Sequence, residues 1–259
     1  MLANYHIHTN HSIDSKYKME DVVRDAINLG IDEICFTDHV DYGVREFFTT
    51  YEQYFAEIEA MQEKYGSQIA IKKGLELAPQ VHTIPRFEAL HQKYPLDFAL
   101  LSIHQINDTE IGRKYASGRD KYEYGREYYQ ELLDVINRYD GYSVLAHLDM
   151  IRRYGEDPGT TLSDHRDIVA EILKLAIRKD KGIELNTSAR RYKLDEIMPS
   201  RDIFALYLDL GGKIITIGSD SHRQEHLGMD LIEGRAALKE IGFKEFCTFN
   251  KMKPIFHKL

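Results

Sequence analysis

Residues 33–39 read EICFTDH, an apolar run that ends abruptly in Thr37, Asp38 and His39. A short run that is apolar nearly throughout is typical of a strand buried on both faces, as in a parallel sheet. Enzymes built as β/α barrels place their reactive side chains at the carboxyl ends of such strands. This stretch therefore predicts a buried strand that delivers polar groups to a site at its carboxyl end.

The same design recurs along the chain, with helical patterns between most of the apolar runs. The runs are Ala3–His8, Glu33–Thr37, Ile69–Leu77, Asp97–His104, Tyr142–His147, Gly182–Asn186 and Lys213–Ser219. The helical patterns are Met19–Leu29, Tyr51–Tyr65, Tyr122–Tyr139, Asp164–Arg178, Ser200–Leu210 and Leu231–Ile241. Seven alternations over about 250 residues predict an α/β fold, a (β/α) barrel that forms a single domain over residues 1–259. Aromatic residues recur at Phe243, Phe246 and Phe249, so the tail is expected to pack on the barrel.

Composition narrows the classes of molecule that this protein is expected to bind and where it is expected to act. The formal charge of −8 disfavours non-specific binding to nucleic acid or to an anionic membrane. No apolar run approaches the roughly 18 residues of a membrane span, and no leader peptide is recognisable at the start. Cys35 and Cys247 both lie in apolar runs and are expected to be buried thiols. A cytoplasmic location is the resulting expectation.

Histidine is abundant, with 12 residues, and its placement at the predicted strand ends is the main functional signal. His6 and His8 would share one face of a strand, because strand side chains alternate with a period of two. Nine candidate ligands map to one predicted rim: His6, His8, Asp14, His39, Glu76, His104, His147, Asp220 and His222. Mixed imidazole and carboxylate ligands suit three divalent ions such as Zn²⁺, Fe or Mn²⁺.

Each of these signals has an ordinary structural explanation when taken alone. A single His-x-His pair is often a core or surface pair, and Asp14 has the setting of a turn residue. Glu76 at the end of an apolar run could belong to an internal salt bridge. The coincidence of all nine residues at one rim favours the metal centre.

The segments that carry these residues also resemble a known family, in the order that the family has them. They are His6–Thr9 with Ser12 and Asp14, Thr37–His39, Gly74–Glu76, Ser102–His104, Ala146–His147 and Ser219–His222. The chain is similar to the PHP (polymerase and histidinol phosphatase) family over most of its length. The resemblance implies a distorted (β/α)7 barrel of the PHP type that holds a trinuclear metal centre.

The resemblance also implies how the nine ligands divide among the three ions. Glu76 would bridge two ions and so belongs to two of the sets. The sets are His6, His8, Glu76 and Asp220 for the first ion, Glu76, His104 and His147 for the second, and Asp14, His39 and His222 for the third.

Within the family, the stand-alone L-histidinol-phosphate phosphatases are the most similar subgroup. The similarity rests on chain length and on two segments, His147–Tyr154 and Glu184–Ser188, the latter followed by Arg190 and Arg191. It implies a metal-dependent phosphatase that converts L-histidinol phosphate to L-histidinol and phosphate in histidine biosynthesis. The expected partner is thus a small phosphate monoester.

A mechanism follows from the metal prediction. Water that bridges two metal ions loses a proton near neutral pH, so a bridging hydroxide is the expected nucleophile. Arginines bind phosphate oxygens bidentately, and Arg153 and Arg191 are candidates, with their neighbours Arg152 and Arg190 as alternatives. Asp220 or His222 could deliver the proton that the leaving alkoxide needs. Acidic loop residues that could meet the substrate amine are Asp41, Glu46 and Glu156.

Other functions remain open at this stage. Within the same fold, phosphotyrosine or a nucleotide could be the substrate, and some PHP domains serve as nuclease modules of polymerases, which the acidic charge disfavours. An amidohydrolase-like deaminase or lactonase also uses His-x-His on its first strand. The additional set of Asp14, His39 and His222 favours three ions instead. A catalytically inactive binding module would be expected to lack some ligands, and all nine are present.

Overall fold

A curved parallel sheet forms the centre of the molecule. The computed structural model describes residues 1–43, 50–154 and 160–259. In these ranges the strands are β1 (Ala3–Asn4), β2 (Glu33–Phe36), β3 (His39–Asp41), β4 (Ala70–Ala78), β5 (Phe98–Leu101), β6 (Gln105–Ile106), β7 (Thr109–Glu110), β8 (Val144–Leu145), β9 (Gly182–Asn186), β10 (Ile215–Gly218), β11 (Glu245–Asn250) and β12 (Lys253–Lys258). The barrel sheet runs in the order β1-β2-β4-β5-β8-β9-β10, and β3 pairs with β4 beyond the end of β2.

The first and last barrel strands approach one another and nearly close the ring. The Tyr5 amide donates to the Ile217 carbonyl at 2.9 Å, and the His8 amide donates to the Ser221 carbonyl at 2.9 Å. An isolated parallel bridge joins Ile7 to Ser221. The expected seven-stranded β/α barrel is therefore confirmed, with a distorted junction between β1 and β10.

Helices cover the outside of this sheet. They are α1 (Met19–Asn28), α2 (Tyr51–Tyr65), α3 (Ile84–Lys93), α4 (Arg113–Ala116), α5 (Lys121–Arg138), α6 (Leu162–Arg178), α7 (Arg201–Asp209) and α8 (Leu231–Ile241). Local sequence sets their ends: Asp120 caps α5, and a capping box of Thr161 and Asp164 begins α6. Across the described ranges, no helix has both the length and the apolar character needed to cross a membrane.

Several elements differ from the sequence-based expectation: β3, β6, β7, β11, β12, α3 and α4 lie outside the predicted runs and helical patterns, and β1 is shorter than predicted. Helix α3 was not among the predicted helical patterns, because only Ile84, Phe87 and Leu90 mark its buried face. The first strand is regular only over Ala3–Asn4, whereas the apolar run suggested a strand to His8. Beyond Asn4 the chain stays extended, but it pairs irregularly with the segment after β10.

The carboxyl-terminal hairpin of β11 and β12 packs at the amino ends of the barrel strands. Phe249 contacts the ring of Phe98, which begins β5, with a centroid distance of 5.1 Å. Its amide donates to the buried Tyr5 hydroxyl at 2.8 Å, and that hydroxyl also bonds Glu33 at the start of β2. The expectation that the aromatic tail packs on the barrel is confirmed. The predicted site lies at the opposite end of the barrel, where the strands finish.

A glycine allows β9 and β10 to approach closely. A Cβ atom on Gly182 would lie 2.2 Å from the Ile214 carbonyl oxygen, which is backbone and cannot turn aside. We expect Gly182→Ala to lower the free energy of unfolding by about 1–3 kcal/mol, the usual cost of overpacking. Urea unfolding of the metal-loaded protein measures this. Gly112→Ala is the matched control, since nothing lies within 4 Å of its added Cβ. Equal losses in both variants would contradict the packing argument.

Candidate metal centre

All nine predicted ligands lie together at the carboxyl end of the barrel. His6 and His8 follow β1, and Asp14 lies in the loop beyond them. His39 begins β3, and Glu76 lies within β4. The others follow β5, β8 and β10, as His104, His147, Asp220 and His222. Six separate segments thus supply one cluster, because parallel strands all finish at the same end of the barrel.

Glu76 is the centre of this cluster. Its side chain is only 1% exposed, and its two oxygens face in different directions. Oε2 lies 2.9 Å from His39 Nδ1 and 3.3 Å from His6 Nε2. Oε1 lies 2.8 Å from His147 Nε2. His8 Nε2 and His104 Nε2 complete the ring of imidazoles, each 3.4 Å from a carboxylate oxygen. A carboxylate with one oxygen toward each of two groups of imidazoles is placed to bridge two ions.

Asp220 faces His6 and His8 from the last barrel strand. Its Oδ1 lies 3.6 Å from His6 Nε2 and 3.5 Å from His8 Nε2. The residue has a left-handed backbone with φ of +54°, and its amide donates to the His6 carbonyl at 2.8 Å. An unusual backbone conformation of this kind needs support from its surroundings, and here it directs the carboxylate into the cluster.

A third group lies nearer to solvent. Asp14 Oδ2 is 3.5 Å from His39 Nε2 and 3.3 Å from His222 Nε2. The rings of His8 and His222 stack with a centroid distance of 4.0 Å. Asp14 is 45% exposed, which makes this the most open part of the cluster.

The donor atoms fit divalent cations. Ligand atoms of four overlapping trios lie within 4.8 Å of one another: His6, His8 and Asp220; His6, Glu76 and His147; His39, Glu76 and His104; and His8, His39 and His222. The buried atoms His6 Nε2, His8 Nε2 and Glu76 Oε2 have no hydrogen-bond partner among the described residues. Orphaned buried polar atoms are costly, and a shared cation would satisfy all three.

The charges of the cluster shift the pKa values of its members. Burial lowers the pKa of His6, but Glu184, Glu76 and Asp220 outweigh it and raise that pKa well above its usual value. Burial likewise opposes Asp41 and Glu76 at His104, whose pKa is raised to about 9. The carboxylates therefore attract positive charge strongly, and metal ions that bind here must displace protons from these imidazoles.

Three of the imidazoles form hydrogen bonds through Nδ1, the ring nitrogen that faces away from the cluster. His6 donates to Glu184 at 2.6 Å, His8 lies 3.2 Å from the Ser12 hydroxyl, and His104 lies 3.0 Å from Asp41. In each case the ring is left with Nε2 directed at the cluster. Such partners fix the tautomer and orientation of a metal-binding histidine.

A cavity of about 450 Å³ opens above the cluster. Arg153 and Arg191 both line it, together with Asp220 and His222. Arg153 Nη2 donates to the Ser188 hydroxyl at 2.7 Å, and Arg191 Nη2 donates to the Asp220 carbonyl at 2.7 Å. Two guanidinium groups therefore face the same space as the predicted metal ligands.

The neighbouring arginines point elsewhere. Arg152 donates to Asp149 at 2.8 Å and lies 3.3 Å from Glu196. Arg190 is largely exposed and forms an ion pair with Asp230 at 2.6 Å. Neither lines the cavity. Of the acidic loop residues, Asp41 lines it, whereas Glu46 and Glu156 lie outside the described residues.

Comparison with known proteins agrees with this geometry. A family model described as "PHP domain" matches residues 4–188, which is more than half of the chain. The chain belongs to the PHP family. The histidinol-phosphatase of Lactococcus lactis subsp. lactis is 34% identical over 256 residues, covering 96% of this chain and 95% of that protein. A probable histidinol-phosphatase of Thermotoga maritima is 29% identical and covers all of both chains.

Solved structures extend the comparison to three dimensions. The crystal structure of histidinol phosphate phosphatase from Lactococcus lactis subsp. lactis, complexed with zinc, L-histidinol and phosphate, has a TM-score of 0.87. It is 31% identical and covers 98% of each chain. A putative histidinol phosphatase from Listeria monocytogenes has a TM-score of 0.73 at 20% identity, which supports the PHP fold alone.

Sequence reasoning missed the residues of this PHP chain that stand behind the ligands. Glu184, within β9, was noted only as part of a resembling segment, although a carboxylate in an apolar strand is the same signal that marked Glu76. Asp38 was not assigned a site role, yet it accepts from the Thr9 amide at 2.7 Å and from the Ser12 hydroxyl at 2.7 Å. It thereby orders the loop that carries His8.

Removing the metal should destabilise the protein, because the buried atoms His6 Nε2, His8 Nε2 and Glu76 Oε2 then lose the cations that would satisfy them. We expect elemental analysis of the native protein to find about three divalent ions per chain. Chelation should lower the midpoint of thermal unfolding, and bound ions at 1,000 times their Kd would contribute about 4 kcal/mol. Adding Zn²⁺ back should restore the midpoint. An unchanged midpoint after complete removal would contradict the predicted centre.

Proposed function

We propose that this chain is a histidinol-phosphatase, which hydrolyses L-histidinol phosphate to L-histidinol and phosphate in histidine biosynthesis. The observation that carries this proposal is a full metal-ligand cluster and two arginines that share one cavity. Full-length relatives named for the same activity support it, as does the neighbour that binds zinc, L-histidinol and phosphate. The substrate is a small phosphate monoester.

The cofactors are divalent metal ions, with Zn²⁺, Fe and Mn²⁺ as the candidates. We propose that His6, His8, Glu76 and Asp220 hold one ion, Glu76, His104 and His147 a second, and Asp14, His39 and His222 a third. Bound divalent ions would acidify a coordinated water and offset the charge that develops on the phosphoryl oxygens.

The two cavity arginines are proposed to bind the phosphoryl group. Arg153 Nε and Arg191 Nη1 are buried and have no hydrogen-bond partner in the described ranges. Such N–H groups can donate to phosphate oxygens, and a guanidinium matches their geometry. Burial lowers the pKa of Arg191, yet an arginine remains charged at neutral pH. The phosphoryl group would thus lie between the arginines and the metal ligands.

The remaining roles follow from position in the cavity. We propose that Asp220 or His222, which are also proposed metal ligands, passes a proton to the leaving alkoxide, since both line the cavity. Asp41 is a candidate partner for the substrate ammonium group, because its carboxylate also lines this space.

The whole chain of 259 residues is proposed to act as one domain. Two buried free thiols, Cys35 and Cys247, support a cytoplasmic location.

The function is tested by a panel of phosphate monoesters. The metal-loaded protein should release phosphate from L-histidinol phosphate with a kcat/KM well above that for phosphotyrosine or for a nucleoside bisphosphate. The physical reason is that L-histidinol phosphate offers an ammonium group and an imidazole to the acidic cavity wall and has no carboxylate. Phosphotyrosine pairs its ammonium group with a carboxylate, which that wall would repel, and the nucleoside bisphosphate has no ammonium group. Phosphate release is measured by a colorimetric assay at matched metal content. Equal turnover of all three substrates would remove the specific claim.

The arginine assignment has an internal control. Arg153→Met and Arg191→Met should each lower kcat/KM by about a hundredfold, the usual effect of losing one preorganised donor to developing charge. Arg190→Met removes the same charge from an exposed neighbour and should stay within about twofold of the unmodified protein. Steady-state kinetics on L-histidinol phosphate decides between them. A loss in Arg190→Met as large as that in Arg191→Met would reject the assignment.

A further inference from the structure

Glu184 contacts two predicted metal ligands at once. The side chain is fully buried in β9. Its Oε1 accepts from His6 Nδ1 at 2.6 Å, and its Oε2 accepts from the His147 amide at 2.9 Å. His147 has a left-handed backbone with φ of +25°, which an ordinary residue adopts only when its surroundings hold it there. The Glu184 carboxylate thus orients the ring of His6, which follows β1, and the strained backbone of His147, which follows β8.

A line of hydrogen bonds continues from Glu184 to the cavity. Asn186 Nδ2 donates to Glu184 Oε2 at 3.1 Å. The Ser188 hydroxyl donates to Asn186 Oδ1, and the Ser188 amide donates to the same oxygen at 3.0 Å. Arg153 Nη2 donates to the Ser188 hydroxyl at 2.7 Å. Each group has a donor or acceptor role compatible with its neighbours, so the whole line can form at the same time.

We propose that Glu184, Asn186 and Ser188 are positioning residues that fix a metal ligand and a phosphate-binding arginine relative to one another. This inference rests on the proposed function. Glu184 selects the His6 tautomer that carries its proton on Nδ1, which leaves the Nε2 lone pair for an ion. Ser188 holds the Arg153 guanidinium against the cavity. Because the three residues alternate along one segment, a single backbone sets the spacing between the two halves of the site.

The packing around Glu184 supports a dedicated role over an incidental buried charge. Within the described part of the chain, its hydrogen-bond partners are His6, His147 and Asn186, and none of them is a lysine or an arginine that would make an ordinary ion pair. The barrel also makes room for this carboxylate. A Cβ atom on Gly218, in the adjacent β10, would lie 2.4 Å from Glu184 Oε1. Any larger residue there would displace the group that orients His6.

The first test replaces the carboxylate by an amide of the same shape. Both oxygens of Glu184 accept hydrogen bonds, so the NH₂ group of Glu184→Gln must lose one contact. We expect the zinc-loaded variant to lose Zn²⁺ to a chromophoric chelator roughly ten- to a hundredfold more readily. Glu33→Gln is the matched control, since Glu33 is also a buried strand carboxylate but bonds Tyr5 at the other end of the barrel. It should retain Zn²⁺ as the unmodified protein does.

The second test addresses the far end of the line. Arg153 Nη2 donates to the Ser188 hydroxyl at 2.7 Å and to Asp220 Oδ2 at 3.3 Å, and Ser188→Ala removes the shorter of these two bonds. The variant should weaken binding of inorganic phosphate to the zinc-loaded protein several-fold, measured by titration calorimetry. Its zinc content should stay unchanged, and Ser188→Thr, which keeps the hydroxyl, should restore phosphate binding. These readouts need no turnover, so they separate this proposal from the choice of substrate.

The roles of Glu184 and Ser188 can each be overturned by a separate result. Zinc retention in Glu184→Gln equal to that of Glu33→Gln would overturn the role of Glu184. Unchanged phosphate affinity in Ser188→Ala would overturn the link to Arg153. If circular dichroism shows that Glu184→Gln does not fold, Glu184→Asp takes its place, because it keeps the charge but withdraws the carboxylate from His6. Normal zinc retention in that variant would equally count against the proposal.

Discussion

The attraction between one buried carboxylate and its surrounding imidazoles organises the site. Glu76 is almost wholly excluded from water, and burying a carboxylate costs several kcal/mol unless compensating charge is present. Five histidines supply its surroundings, and they come from four separate segments of the barrel. The strands must therefore finish at the same level for the charge to be compensated. This requirement ties the metal chemistry to the barrel, since no single segment could meet it alone.

The two ends of the barrel carry different tasks. At the amino ends of the strands, the hairpin of β11 and β12 packs its aromatic side chains against Tyr5 and Phe98 and supplies hydrophobic burial. At the carboxyl ends, polar contacts replace hydrophobic packing. His147 and Asp220 have left-handed backbone there, and several buried polar atoms have no hydrogen-bond partner among the described residues. Stability lost at one end is thus offset at the other, as is common where a scaffold holds a reactive site.

Much of the fold and the ligand cluster could be predicted from the sequence, because both leave periodic signals. Apolar runs that end in His, Asp or Glu marked the strands and the ligands together. What lay beyond prediction depends on three-dimensional direction. Arg152 and Arg153 are adjacent in sequence, yet one faces acidic surface residues and the other faces the cavity. Helix α3 shows only three buried positions, too few to stand out, and Glu184 became meaningful only when its distance to His6 was known.

The junction between β1 and β10 brings together predicted ligands that are far apart in the sequence. His6 and His8 precede Asp220 and His222 by more than 200 residues in the sequence. Regular strand pairing there is limited, so the predicted ligands on both sides help to join two segments that lie more than 200 residues apart in the sequence. A nascent chain that stops short of residue 220 holds only a partial set of ligands. Under the proposed assignment, the full complement of ions could bind only after residues 220–222 have been synthesised.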